Sequence, residues 1–598
     1  MKPISVALAL LASVASAGPV AHADYDFIVV GGGTAGIAVA TRLSQKLPYC
    51  TILLIEAGPD ERKNADIFTP GHKGVLGTVY DWNFTTSPQP GANNRTVTQN
   101  RGRVLGGSSA LNLLSWDRAT VADYNAWEEL GSPGWNWNTM HPAMKVQETF
   151  QRTSVNGSSE IIGVGEAGPI RVLVNDFTVP QQEAFFPAMQ NLGLDQTFSF
   201  LDGDMLGWMR HTSNIFNNNY TRSYSPTFLA YAGRNLHLMV NTTVAKLNLD
   251  AAAACVTGVT LQDGSGITAR NEVILSAGSI QSPQLLELSG IGNATILAAA
   301  GIKQLVNLPS VGENLQDHVR ITTAYRLRSN YTSPDKLRFN ATFAAEQQQA
   351  YNSNMTSFYD ETSIGYTYMT WQQAFGNATG DNFTALGKAA ASPTNPIDQQ
   401  KLQYLETLSK RVPQLEVLFD DGYLGLKGYP KMNSSLYGSQ FMTFIASIQH
   451  PFSRGSSHIN APNPTGHPVF NPNYLSNEYD LEAVAQGTKY LRKIAQTPPM
   501  SYTWLDEYEP GLDVVKTDAD WREYAKNNVL TIWHPLGTCA LLPKKEGGVV
   551  SPELKVYGLS NLRVVDASII PLNPSGHIQT AVYGIAERAA EMIAVQWA

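Results

Sequence analysis

Gly31, Gly33 and Gly36, spaced as Gly-x-Gly-x-x-Gly, are the first residues of this 598-residue chain whose types and spacing point to chemistry. Glycine at the first position permits a tight turn. At the second it lets the backbone approach a pyrophosphate, and at the third it lets a helix pack on a strand. Thr34 and Ala35 complete the turn at a helix start, where the N-terminus stabilises phosphate charge. Glu56 stands 20 residues beyond Gly36, placed to accept hydrogen bonds from a ribose diol. The elements around the turn give it this meaning. Residues 25–30 form a β-branched and aromatic run typical of a buried parallel strand, residues 37–47 have helical spacing, and residues 51–55 form a second strand closed by Glu56. This is a βαβ unit that binds a dinucleotide, and the turn alone does not choose between FAD and a nicotinamide.

The rest of the chain bounds the setting. Its length predicts two large folding units, and 43% hydrophobic with 15% charged residues predicts a well-buried core. A formal charge of −8 and the lack of a basic run exclude nucleic acid as a partner. Cys50, Cys255 and Cys539 fit no zinc motif, so no metal site is read; at most one bridge forms, and buried free thiols are the expected state. At the N-terminus Lys2, an apolar run from Ile4 to Val14 and Ala15-Ser16-Ala17 read as a signal peptide over residues 1–17. That run is too short for a bilayer, which needs roughly 20 apolar residues. N-x-S/T sequons recur from Asn83 to Asn433 and are dense between about residues 330 and 435. Together these predict a secreted protein carrying N-glycans, with no membrane association.

Further motifs are longer and more specific. Residues 101–112 read Arg-Gly-Arg-Val-Leu-Gly-Gly-Ser-Ser-Ala-Leu-Asn, with Asp81-Trp82 upstream. Residues 278–292 read Gly-Ser-Ile-Gln-Ser-Pro-Gln-Leu-Leu-Glu-Leu-Ser-Gly-Ile-Gly, and residues 311–318 read Val-Gly-Glu-Asn-Leu-Gln-Asp-His. The first two resemble the signatures of the glucose–methanol–choline (GMC) oxidoreductase family, and the resemblance extends through the C-terminal segment. It implies an α/β fold, α+β overall, in which a Rossmann-like FAD domain carries an inserted substrate domain built on an antiparallel sheet flanked by helices. It also implies flavin contacts from Ser108, Asn112 and Leu113, and a backbone contact to adenine from Val244. Some relatives bond FAD covalently to a histidine just before that asparagine; Leu111 stands there, so FAD is expected to be non-covalent. Asp566 and Ala567 resemble the loop that contacts the ribityl and phosphate chain, with a simple turn role the alternative for Asp566.

Trp533-His534-Pro535 and Ser575-Gly576-His577 resemble the family's catalytic pair. Hydride leaves an alcohol carbon only as the hydroxyl proton is removed, and a neutral imidazole is matched to that task. His534 is assigned as general base and His577 as its partner, steadying the developing oxyanion. Ile578 opens a helix whose N-terminus would face the flavin ring. Trp533 is read equally as a pocket wall or as core packing. His211, His318, His450 and His458 are read as structural residues near polar loops. No charged pocket determinant is evident, so a small neutral alcohol (an aryl alcohol, sugar or polyketide lactol) is expected as substrate, with oxygen or another electron acceptor completing the cycle. A non-redox lyase or cyclase on the same fold is the alternative. The expected organisation is a signal peptide over 1–17, FAD-binding parts over 24–155, 236–325 and 529–598, and substrate-domain parts over 156–235 and 326–528.

Overall fold

The computed structural model describes residues 24–72 and 75–598. The expected signal peptide lies outside the described residues.

The predicted βαβ unit forms as Asp24–Val30, Thr34–Lys46 and Ile52–Ile55. Both strands are buried along nearly their whole length, which explains continuous apolar runs rather than alternation. They lie in a seven-stranded sheet ordered Leu236–Met239, Ile52–Ile55, Asp24–Val30, Gly266–Leu275, Cys255–Leu261, Val244–Asp250, with Leu562–Val564 also pairing Gly266–Leu275. The first four strands and Leu562–Val564 pair in parallel. Their register places Met239 beside Ile55, Ile55 beside Val30, Val30 beside Leu275 and Leu275 beside Val564. These parallel strands therefore end at one level, and the loops that leave them share one crevice. Thr34–Lys46 packs against the C-terminal helix Gln579–Trp597, with Arg42 Nε 2.7 Å from Glu587 Oε2 at their contact.

A second sheet is antiparallel throughout. Its order is Gly365–Met369, Leu415–Asp421, Phe441–Ile448, Val319–Leu327, Trp504–Glu509, with Leu530–Thr531 also on Val319–Leu327. The helix Glu478–Gln496 covers one face, contributing Val484, Leu491 and Ile494 to a core shared with Leu415, Val417 and Phe444. The other face turns toward the crevice. Directly paired residues of an antiparallel sheet share a face, and residues two apart along a strand do too. Arg320, Ser447, Glu416 and Tyr368 thus form one row on that face, and Thr322, Ile445, Leu418 and Tyr366 form the next.

Cys50, Cys255 and Cys539 are all unpaired; Cys539 is buried, whereas the other two are only half-buried. Among the described residues no helix is long and apolar enough to cross a membrane.

Candidate active site

The two sheets enclose a cavity of about 740 Å³ that runs from the glycine turn to the histidine pair. At one end the turn has the shape its residues predict. A Cβ at Gly31 would lie 2.4 Å from the Ser276 carbonyl oxygen, and one at Gly36 would lie 1.8 Å from the Gly31 oxygen. A Cβ at Gly33 would meet only Gly107 Cα at 3.8 Å, so its backbone faces open space. Gly33 caps Thr34–Lys46 without a side-chain hydrogen bond, and no acidic residue occupies the first turn. The first N–H groups of this helix are thus left for an acceptor from outside. Glu56 accepts hydrogen bonds from the Gly32 amide at 2.8 Å and the Gly58 amide at 2.7 Å. Burial pushes its carboxyl up to about 7 against those amides.

The remaining expected cofactor residues meet along the same cavity. Thr34, Ala35, Ser108, Asn112, Leu113 and Val244 line it, as do Trp533, Asp566, Ala567 and Ile578. Gly36 does its work behind the wall, by letting the helix approach. Asn112 donates to Gln579 Oε1 at 2.9 Å and accepts from Arg222 Nη1 at 2.7 Å, which ties its loop to the C-terminal helix. Asp566 accepts from the Gly278 amide at 2.9 Å, Ser282 Oγ at 2.5 Å and the Ser568 amide at 2.8 Å. It therefore joins two strand-end loops at the cavity wall. Trp533 is a wall residue: its backbone adopts φ 66°, its indole donates to Asn100 Oδ1 at 3.0 Å, and its carbonyl accepts from Arg101 Nη2 at 2.7 Å.

His534 and His577 face one another at the far end, ring centroids 5.1 Å apart and planes at 85°. His577 Nδ1 lies 2.9 Å from Asp117 Oδ2, and its backbone amide donates to Asp117 Oδ1 at 2.9 Å. The same Asp117 Oδ2 lies 3.0 Å from Tyr368 OH and 3.0 Å from His211 Nε2. Tyr368 OH also lies 2.7 Å from Glu416 Oε1, so its one proton stands between the two carboxylates, and the Gln449 amide bridges Glu416 Oε2 and the Gly576 backbone N–H. Burial by itself would depress the His577 imidazole. The Asp117 and Glu416 carboxylates outweigh it and hold the ring up at about 9. Asp117 in turn stays well below the usual carboxylate range despite its burial, because His577 and His211 face it. His534 has no carboxylate against its ring; its Nδ1 lies 2.9 Å from His318 Nδ1. Burial and then the charge on His577 push it well below the ordinary histidine range. One imidazole is thereby kept neutral and the other cationic.

The histidines read as structural fall in two places, and one reading of the pocket is corrected. His211 and His318 are fully buried directly behind the histidine pair, one on Asp117 and one on His534. His450 and His458 do stand away from the pair, on Asp123 and on Glu287 with Glu313. The expectation of a pocket without charged determinants fails, since Arg320 and Asp420 line the cavity. Asp117, Glu416 and Arg320 escaped notice because no motif or local period marks them. Only the pleat of the antiparallel sheet brings Arg320 and Glu416 into one row. Asp117, His211 and His577 also hold ligand-capable atoms within 4.8 Å of one another, each engaged by the hydrogen bonds just described.

A glycine turn at parallel strand ends, an uncapped helix N-terminus and an acid at the next strand end together define a dinucleotide-binding oxidoreductase fold, and the residues present fit FAD. Comparison with known proteins names the family. GMC oxidoreductase family models match residues 25–320 and 451–586. The GMC oxidoreductase family protein Mala s 12 of Malassezia sympodialis is 34% identical over 95% of this chain and 92% of its own length. A solved FAD-dependent oxidoreductase from Chaetomium thermophilum superposes with a TM-score of 0.85 at 28% identity, covering 96% of this chain and 99% of that one. A fungal aryl-alcohol oxidase gives a TM-score of 0.82 at 27% identity, over 96% and 100%. The chain belongs to the GMC oxidoreductase family, whose members are FAD-dependent enzymes acting on CH–OH groups.

Proposed function

We propose that this protein oxidises the CH–OH group of an alcohol to a carbonyl, with non-covalent FAD, His534 as general base and His577 as the cation that steadies the substrate oxygen. The observation that supports this best is the unequal setting of two facing imidazoles at one end of a continuous cavity, His577 against the Asp117 carboxylate and His534 against the His318 ring. Bound FAD supplies the acceptor for the hydride that leaves the alcohol carbon. Gly31, Gly33 and Gly36 shape the turn that receives its pyrophosphate. Glu56 and Val244 serve its adenosine end, Ser108, Asn112, Leu113, Trp533 and Ile578 its ring, and Asp566 with Ala567 the chain between. Leu111, buried at the covalent attachment position of some relatives, offers no nucleophile.

The chain's own groups divide the proton work. With His318 accepting from His534 Nδ1–H, His534 Nε2 keeps its lone pair and takes the hydroxyl proton. His577 gives its Nδ1–H to Asp117, so its Nε2–H is left to donate to the oxygen as negative charge develops there. The reacting end of the substrate is uncharged, and oxygen or another acceptor regenerates the flavin. The proposed organisation is three FAD-binding segments, 24–155, 236–325 and 529–598, interleaved with substrate segments 156–235 and 326–528. Secretion and N-glycosylation also belong to this reading. Of the asparagines in the sequons from Asn83 to Asn433, none is buried.

Rapid anaerobic mixing with a panel of aryl alcohols, sugars and lactols tests the reaction. Bleaching of the flavin as carbonyl product forms is the expected result. Product without bleaching would make the protein a lyase or cyclase. His534→Ala should slow flavin reduction about 100-fold or more, and a near-normal rate would move the base elsewhere.

A further inference from the structure

Arg320 lines the cavity yet is only 9% exposed. Its Nε donates to the Thr531 carbonyl at 3.0 Å, but Nη1 is buried with no hydrogen-bond partner among the described residues. The guanidinium stacks over the Trp533 ring, 5.0 Å from its centroid, one residue from the proposed base. An unsatisfied buried donor costs free energy, and more when it is charged, so the arrangement calls for an acceptor within the cavity. Asp420 lines the same cavity and opposes the fall that burial imposes on Arg320, which still lies at about 10. The guanidinium is therefore cationic at any ordinary pH.

Register fixes its relation to the chemistry. Arg320 pairs with Ser447, Ser447 with Glu416, and Glu416 with Tyr368, in one row across the sheet. Glu416 and Tyr368 are the groups behind Asp117 and His577. At strand spacings of about 4.8 Å, Arg320 stands about 10 Å from Glu416 along that row. That separation is on the order of the length of a substituted benzyl alcohol. Trp82, Phe84, Tyr366 and Trp533 also line the cavity and give it an aromatic character.

Building on the proposed alcohol oxidation, we propose that Arg320 is a substrate-binding residue, and that the natural substrate is an alcohol bearing a carboxylate on an aromatic or otherwise flat apolar body. A planar fork of donors suits a carboxylate, which accepts two parallel hydrogen bonds from it.

Titration calorimetry of the FAD-loaded enzyme with benzoate and with its uncharged analogue benzamide tests the binding without calling on catalysis. Benzoate should bind tenfold or more tighter, and Arg320→Gln should abolish that preference. Arg320→Lys, which keeps the charge, should retain a reduced preference and carries the test if the glutamine variant does not fold. Equal affinity of the wild type for both probes, or a preference undiminished in Arg320→Gln, overturns the inference. Anaerobic flavin reduction by 4-(hydroxymethyl)benzoate and 4-(hydroxymethyl)benzamide separates it from the reading beneath. If both alcohols bleach the flavin with equal kcat/KM, the role of Arg320 falls and the oxidation reading stands. If neither bleaches it while the benzoate preference persists, the oxidation reading falls and the anion site stands.

Discussion

Replacing Asp117 by asparagine would remove the charge but keep the shape of the group that holds His577. Asp117 Oδ2 lies 2.9 Å from His577 Nδ1, and together with Glu416, whose Oε1 lies 3.8 Å from the same nitrogen, it holds the ring at about 9. Relative to an ordinary histidine near 6.5, that elevation is on the order of 3 kcal/mol, at about 1.4 kcal/mol for each pK unit. Asp117 is the nearer carboxylate, so the asparagine variant should bring the imidazole back toward neutrality. Below about pH 6 the ring is charged in both proteins and their rates should be similar. At pH 8 the ring is still largely cationic in the wild type, whereas in the variant only a small fraction carries the proton. The expected loss in flavin reduction there is about tenfold. The assay is anaerobic stopped-flow reduction of the flavin from pH 5.5 to 10. The wild-type rate should fall only as pH rises through about 9, and the variant's fall should begin two or so units lower. His534, pressed well below the ordinary range, adds no descending limb in this window. An alkaline limb unmoved in the variant, or a rate lowered equally at every pH, would refute the view that Asp117 acts through the charge on His577.

Gly36→Ala should cost flavin retention before anything else. Its Cβ would sit 1.8 Å from the Gly31 oxygen and must push the helix off the turn, so a lower ratio of flavin to protein absorbance after gel filtration is expected, with an unchanged ratio counting against the close-packing role. Glu287→Gln tests a pH-dependent contribution to stability from a largely buried ion pair. His458 Nδ1 lies 2.7 Å from Glu287 and Nε2 3.2 Å from Glu313, and although burial opposes it, these bonds raise the imidazole to about 9. Its folded value is raised, so its stabilisation is complete below the unfolded value near 6.5 and is lost as pH rises through about 9. Denaturant midpoints compared between pH 6 and pH 9.5 should therefore fall less in the glutamine variant than in the wild type; equal falls would show the bridge to be idle.

What could be read from the sequence was what neighbouring residues decide among themselves. The turn at Gly31 to Gly36, its flanking strands and Glu56 lie within one βαβ unit, so their roles follow from spacing. Gly266–Leu275 and Gly278–Leu288 both begin with mostly polar or small residues, so only their apolar ends carry a local signal. The antiparallel sheet was implied by resemblance and by nothing local. Leu415–Asp421 and Phe441–Ile448 are buried on both faces, so neither shows the alternation that marks a half-exposed strand. The support of the histidine pair was hidden for the same reason. Asp117, His211, Tyr368 and Glu416 come from four separated stretches, and each looks unremarkable alone. His318 was in plain view, within residues 311–318, but what a side chain touches across the fold is not written in its own segment.

The parallel sheet also sets an order for biosynthesis. Its strands are drawn from Asp24–Val30 at one end of the described chain and Leu562–Val564 near the other, with the antiparallel sheet threaded between them. A ribosome releasing this protein must hold the first βαβ unit without its last partner until almost the whole chain has emerged, and contacts of such long sequence separation form slowly. His577 and the helix Gln579–Trp597, which buries the outer side of Thr34–Lys46, arrive last of all. A chain cut short near its end therefore loses His577 and the helix that packs on Thr34–Lys46 together.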